Sequence, residues 1–327
     1  MYRLPVGLKL SDRARDFVDP TYHVGTAMSS FMIFVFLPHT RNRIKNNMEY
    51  QIINGKILKK ADALIPINDL GMLRGYGVFD YFRVLDGKPV FLAEHIERLF
   101  HSLDVLDIEL DFERHHIKDM VLKLVEKNNV KDAGFRIVVT GGFAEDGYNP
   151  DDQPNLFMMM HSLPTYDPED YEKGVKLIST AYSRDIPSVK TIIYVQVIHF
   201  AKKMKAEGAI EVLYHWKENM TECSRSNIFF VDHNKRIVTP SHGMLKGITR
   251  LNTIKIAERM GMEVDLRKVH MDEIDSMEEA FITSSTKGIM PVVQIDDTII
   301  GDGVPGEITE QLMAAFADEI QEYLAIR

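Results

Sequence analysis

The chain reads as an α+β protein of two domains, on three observations. Helix-like and strand-like stretches alternate along it, with hairpin signals at Asn54-Gly55 and Asp86-Gly87. Its 327 residues are about twice an ordinary domain. Near the middle, residues 162–174 combine Pro164 and Pro168 with Asp167, Glu169, Asp170 and Glu172, which suits an exposed connection.

Taken in order, residues 50–53 are a strand entering the Asn54-Gly55 turn, and residues 63–67 read as the next short strand. Gly71, Gly75 and Gly77 mark a glycine-rich bend, and residues 78–84 are a strand that ends in the Asp86-Gly87 turn. Leu92, Ile96, Leu99, Phe100, Leu103 and Leu106 recur at helical spacing. A second helix is expected over 117–126, then strands over 135–140 and 156–161. After the connection, helices are expected over 192–207 and 249–260. Strands are expected over 211–216, 226–231 and 280–283, and near Val264. The division is therefore 48–163 for a small domain, 164–173 for a linker and 174–327 for a large domain.

Residues 1–47 differ from the rest, with seven Lys/Arg against three Asp/Glu where the remainder has 32 against 45. Their apolar run, Phe31 to Leu37, is far shorter than the roughly 20 residues of a membrane span. Arg41, Arg43 and Lys45 follow it, which does not fit a cleavable signal. Met48 is the expected natural start, with residues 1–47 a non-native or disordered extension; the alternative reading is a membrane-associating leader.

The net charge of −9 disfavours a general nucleic-acid binder, and nothing points to a membrane partner. A single cysteine, Cys223, rules out an internal disulfide and fits a reducing compartment, the cytoplasm. Twelve histidines contain no ligand spacing for zinc, so no metal is expected, and His115-His116 reads as a solvated face. Gly75-Tyr76-Gly77 lacks the third glycine of a dinucleotide fingerprint, and neither a P-loop nor a G-x-S-x-G elbow occurs. Cys223 has no base beside it and reads as a small buried hydrophobe.

Three patterns carry chemistry. Leu245-Lys246-Gly247-Ile248-Thr249-Arg250 places a glycine and a hydroxyl at a helix start, where free N–H groups favour an anion. The same residues also read as a glycine turn followed by a Thr cap. Glu222 stands among small polar residues before an apolar strand, and also reads as a turn acid facing water. Lys190 precedes the apolar Ile192-Ile193-Tyr194-Val195. A lysine beside apolar residues is a candidate Schiff-base amine, because burial lowers its pKa, whereas its plain reading is a solvated residue near a helix start.

In this order, from about residue 50 to the C-terminus, the patterns resemble the class IV (fold-type IV) pyridoxal-phosphate aminotransferases. That family holds branched-chain and D-amino acid aminotransferases and the related aminodeoxychorismate lyases. The block from Asp69 through Gly75-Tyr76-Gly77 to Arg83 is similar to the family's N-terminal signature, and implies that Arg83 grips the cofactor phosphate. Lys190 falls at the Schiff-base lysine, Tyr194 at an aromatic position near the cofactor's phenolic oxygen, and Glu222 at the acid facing the pyridine nitrogen. Gly247, Ile248 and Thr249 match the phosphate loop, and Ser285, Thr286 and Lys287 the last loop, where Ser285 shares the phosphate. Thr286 and Lys287 would then meet the substrate's carboxylate, as would Arg136, which lies where some branched-chain enzymes place such an arginine.

Three departures narrow the resemblance. Ile193 replaces an asparagine of many members, and residues 143–148 lack the Arg-x-His pair of D-amino acid aminotransferases, which counts against that specificity. Lys287 stands where small residues are usual, and either adds a cation near the substrate's carboxylate or points outward. The resemblance implies a two-domain D-amino acid aminotransferase-like fold with pyridoxal 5′-phosphate in the interdomain cleft, and a homodimer. It implies transfer of an amino group between a branched-chain or other apolar amino acid and a 2-oxo acid, with Lys190 as the base and Glu222 keeping the ring nitrogen protonated. A lyase with the same cofactor, or a cofactor-binding protein of weak turnover, are the other readings it allows.

Overall fold

Asn54 and Gly55 turn the chain with φ of 47° and 79°, the left-handed pair that a two-residue hairpin needs. The computed structural model describes residues 48–151 and 153–325; the expectation about residues 1–47 lies outside them. Strand β1 (Tyr50–Ile53) therefore pairs at once with β2 (Lys56–Lys59), Ile52 opposite Ile57. The strand expected over 63–67 is not there. Leu64 and Ile67 are 76% and 86% exposed, and Pro66 has no N–H to give a ladder.

The glycine-rich bend is in part helical. The Asp69 carboxylate accepts from Gly71 N–H at 2.7 Å and caps α1 (Leu70–Arg74), which Gly75 ends in the left-handed region. Then come β3 (Gly77–Leu85), β4 (Lys88–Pro89), α2 (Leu92–Val105), α3 (Arg114–Asn128), β5 (Ala133–Thr140) and β6 (Asn155–His161). The six strands form an antiparallel sheet in the order β2-β1-β6-β5-β3-β4. Alternation along β3 sends Val78, Phe82 and Val84 into a core with Leu99, Leu103, Ile117 and Leu124 of the two helices. Phe79 and Tyr81 therefore face the other way.

The connection holds a short helix, α4 (Pro168–Lys173), capped by Asp167. A strand that the sequence did not announce follows, β7 (Val175–Ala181), then α5 (Val195–Glu207), β8 (Ala209–Trp216), β9 (Asn219–Cys223), β10 (Asn227–Asp232) and β11 (Ile237–Pro240). Helix α6 (Ile248–Arg259) leads to β12 (Val264–Arg267), β13 (Val269–His270), β14 (Met277–Ser284), β15 (Gly288–Ile295), β16 (Thr298–Ile299) and α7 (Glu307–Ala325). These ten strands run β12-β11-β10-β14-β15-β7-β8-β9-β13, with β16 beside β15. The pairs β11–β12, β15–β7 and β7–β8 are parallel.

Helices α6 and α7 cover this sheet with Ile254, Ile256, Leu312, Phe316 and Ile320, against Phe229 and Phe281 stacked 4.9 Å apart. Phe91 at the start of α2 joins the same cluster, so the first sheet's helix is anchored on the second sheet's core. The result is a mixed α+β fold of two sheets with a cleft between their facing sides.

Candidate active site

The cleft encloses about 380 Å³, within the usual range of small-molecule sites. One wall is β3 and β5, through Phe79, Tyr81 and Arg136, and the other is the ends of β9, β10 and β14 with the start of α6.

Lys190 stands at its floor because its backbone pairs antiparallel with the start of β3, Thr191 opposite Val78. The Lys190 carbonyl accepts from Phe79 N–H at 2.9 Å, and Ile192 N–H donates to the Gly77 carbonyl at 3.2 Å. Gly77 allows this approach: a Cβ there would lie 2.7 Å from the Val139 carbonyl and 3.3 Å from the Ile192 side chain. Lys190 N–H also donates to Ser102 Oγ of α2 at 3.3 Å. The Lys190 amine lies 4.6 Å from the centre of the Phe79 ring. Burial, with the cations of Arg98 and Arg184 nearby, brings its pKa down to about 7, against the pull of Asp80 and Glu222.

Glu222, one residue before the end of β9, is buried. Its Oε1 accepts from Arg184 Nε at 2.7 Å and its Oε2 from Leu245 N–H at 3.0 Å. Burial pushes its pKa up while Arg184 and the Leu245 N–H pull it back. Tyr194, the residue before α5, stacks edge-on against Phe79 with centroids 5.5 Å apart. Burial raises its phenol to about 12.

Beyond Glu222 the cleft meets the start of α6. Gly247 precedes the helix, and no side chain caps it. The N–H groups of the first turn therefore have no intrahelical acceptor. A Cβ on Gly247 would lie 2.2 Å from Asn227 Oδ1, so the turn can close only around glycine. Ile248 and Thr249 line the cleft, as do Ser285 and Thr286 in the β14–β15 turn. The Thr283 hydroxyl beneath them is buried without a hydrogen-bond partner. An uncapped helix start, hydroxyls and a glycine-only cradle fit a phosphate, and a buried acid and a low-pKa amine beside it fit the rest of pyridoxal phosphate.

The remaining residues named from sequence divide. Arg136 lines the cleft, its guanidinium 5.5 Å from the Phe79 centroid. Thr286 lines it as well and accepts from the Tyr166 hydroxyl at 3.3 Å. Arg83 is not among the lining residues. It stands near Tyr171 and Tyr81, and burial lowers its pKa. Lys287 neither meets the cleft nor points outward: its amine pairs with Glu211 in the interior. Cys223 is 2% exposed, and burial raises its thiol.

Arg98 and Arg184, which also line the cleft, were not singled out by the sequence. Arg98 projects from α2 and donates to Asp80 through Nε at 2.9 Å and Nη2 at 2.8 Å. The signal was available: His95, Arg98 and Ser102 run as a polar line at helical spacing through the face that carries Leu99 and Leu103. Arg184, which holds Glu222, offers no such sign in its local sequence.

A cleft between two sheets that holds a buried lysine, a buried acid and an uncapped helix start fits a pyridoxal-phosphate enzyme. The chain belongs to the class IV amino-transferase family, whose model matches residues 77–295. A Methanocaldococcus jannaschii protein provisionally named a branched-chain-amino-acid aminotransferase is 33% identical over 275 residues, 81% of this chain and 94% of that one. A D-alanine aminotransferase of Bacillus licheniformis is 28% identical over 275 residues, 82% of this chain and 96% of that one. The crystal structure of the Escherichia coli branched-chain amino acid aminotransferase superposes with a TM-score of 0.78 at 22% identity, over 83% of this chain and 94% of that one. The chain is thus a pyridoxal-phosphate-dependent transaminase, and structures of this fold hold pyridoxamine 5′-phosphate or a phosphopyridoxyl-glutamate. No helix among the described residues is long and apolar enough to cross a membrane.

Proposed function

We propose that Lys190 and Glu222 are the catalytic pair and that the amino donor is a branched-chain or other apolar amino acid, with a 2-oxo acid as acceptor. The single observation that carries the reading is Lys190: its amine stands 4.6 Å from the Phe79 ring in a cleft that also holds Glu222, and burial there brings its pKa down to about 7. When bound, pyridoxal 5′-phosphate supplies a ring that takes up the electron pair left as the Cα–H bond breaks. Lys190 is its covalent attachment point, and its neutral amine then moves the proton at the substrate's Cα. Glu222 holds a proton at the ring nitrogen. Tyr194 would hold the phenolic oxygen. The α6 start, through Gly247, Ile248 and Thr249, binds the phosphate with Ser285.

Arg98, a buried cation that Asp80 orients into the cleft, is the better candidate than Arg83 for the charge on that phosphate. Arg136 and Thr286 bind the substrate carboxylate, and Phe79, Tyr194 and Val197 give its side chain an apolar wall. Relatives named for branched-chain and for D-alanine substrates both support a small or apolar donor. We place the domain division at 48–163 and 174–327, the site in a cytoplasmic homodimer, and the cofactor between the domains. The test is a panel of L- and D-amino acids with 2-oxoglutarate and pyruvate as acceptors. An apolar L-amino acid turned over fastest supports the reading, whereas exclusive turnover of D-alanine or of acidic donors overturns the substrate assignment.

A further inference from the structure

Arg184 makes contacts that neither a salt bridge nor a loop anchor alone would need. Its Nε donates to Glu222 Oε1 at 2.7 Å, its Nη1 to the Val189 carbonyl at 2.7 Å and its Nη2 to the Pro187 carbonyl at 2.5 Å. Val189 and Pro187 belong to the turn that delivers Lys190, and Val189 is itself fully buried. Both side chains of the ion pair are withdrawn from water, Arg184 at 19% and Glu222 at 8% exposure.

We propose that Arg184 is the positioning residue of this site, a single guanidinium that fixes Glu222 and the Lys190 turn in one frame. Planarity is what suits arginine to this: its fork donates in three directions at fixed angles, and lysine cannot reproduce that. The Glu222 carboxylate cannot turn without breaking the Arg184 bond, and the 187–189 carbonyls cannot turn without breaking the same fork. The relative placement of acid and amine is therefore set before any ligand arrives, which is where an enzyme gains most from a rigid support.

The electrostatics agree with the geometry. The charges facing Glu222 are Arg184 and Lys190, with the Leu245 N–H, and the phenols of Tyr182, Tyr194 and Tyr214 lie around it. Lys190 is faced by Arg98, Asp80, Arg184 and Glu222, with His95 behind. Burial pushes the Glu222 acid up, and Arg184 is the largest influence opposing it. The same cation disfavours a second positive charge on Lys190. Arg184 thus favours the anion on one partner and the neutral amine on the other.

This inference rests on the proposed roles of Lys190 and Glu222, and the experiment separates the two. The holoenzymes of Arg184→Gln, Arg184→Lys, Glu222→Gln and the Arg184→Gln/Glu222→Gln pair are compared. Three quantities are read: kcat and KM across pH, and the visible absorption of the bound cofactor across pH without substrate. The pair leaves no unmatched buried charge, so it folds even where Arg184→Gln does not. Arg184→Gln is expected to lower kcat on the order of 100-fold with KM little changed, and to move the acid-side change in the cofactor spectrum to higher pH. Arg184→Lys recovers part of the spectral shift and less of kcat. In the Glu222→Gln background, Arg184→Gln has little further effect on the spectrum. A wild-type spectrum and kcat in Arg184→Gln, or full additivity in the pair, overturns the proposal. A Glu222→Gln enzyme with wild-type kcat and spectrum overturns the role of Glu222 and with it this inference.

Discussion

Lys287 and Glu211 form an ion pair closed off from water: Nζ and Oε1 are 2.5 Å apart, and the side chains are 1% and 0% exposed. Glu211 also accepts from the Ser226 hydroxyl at 2.8 Å and from Arg225 N–H at 2.9 Å. The pair therefore ties the β14–β15 turn to the 224–227 turn, and both line the cleft.

Lys287→Ala leaves the Glu211 charge buried without its closest cation, and should cost about 3–5 kcal/mol in urea unfolding at pH 7. Burial alone would raise the Glu211 pKa, but Lys287, Arg225 and the hydrogen bonds outweigh it and the result is lowered. A lowered acid stabilises the fold above its unfolded pKa, so this contribution fades as pH falls below about 4. Stability unchanged in Lys287→Ala at pH 7 would contradict this.

Lys190 titrates far below an ordinary lysine. In the cofactor-free protein its labelling by an amine-reactive reagent, followed by mass spectrometry, should show a midpoint near the value of about 7 rather than 10.5. Between those two values the unfolded chain binds a proton that the folded one does not, so stability should rise with pH across that window. A labelling midpoint near that of exposed lysines would remove the basis for Lys190 as a base at neutral pH.

Gly247→Ala should weaken cofactor binding more than it weakens the fold. The new Cβ would meet Asn227 Oδ1 at 2.2 Å, and Asn227 is held by its own bond to the Leu245 carbonyl at 2.8 Å. Relief must come from the α6 start, at about 1–3 kcal/mol. Equilibrium dialysis with pyridoxamine 5′-phosphate, which forms no bond to Lys190, reads the effect on the phosphate site. Unchanged affinity would mean that the phosphate does not sit there.

The two arginines can be separated. Arg98 lines the cleft with Asp80 behind it, and Arg83 does not line it. Arg98→Lys loses the two-pronged grip on Asp80 and should weaken pyridoxamine 5′-phosphate on the order of 10-fold or more, whereas Arg83→Lys should leave it within a few-fold. The reverse order would restore Arg83 as the phosphate arginine.

The sequence disclosed those parts of the molecule whose signals are local. The Asn54-Gly55 and Asp86-Gly87 turns and the apolar stripe of α2 stand where they were expected. Gly247 and Thr249 meet the cleft because a glycine turn into a helix start is written in adjacent residues. Strand β7 and helix α7 were not anticipated. Val175–Ala181 lies between parallel neighbours and mixes Val, Leu and Ile with Lys, Ser and Thr, with no sustained alternation to announce it. The stretch 63–67 was misread because β-branched content says nothing about whether a partner strand exists. The site followed the same rule. Lys190 and Glu222 carry recognisable surroundings, whereas Arg184, Arg98 and the true partner of Lys287 depend on residues 38, 18 and 76 positions away. Those distances exist only once the sheets have formed.

The role of Lys190 is tested most directly by mapping the cofactor's attachment. The protein is loaded with pyridoxal 5′-phosphate, reduced with borohydride, digested and sequenced by mass spectrometry. One phosphopyridoxyl group is expected, on Lys190, and it is lost in Lys190→Ala together with the visible absorption. A label on another lysine, or none on a protein that still transaminates, would contradict that role.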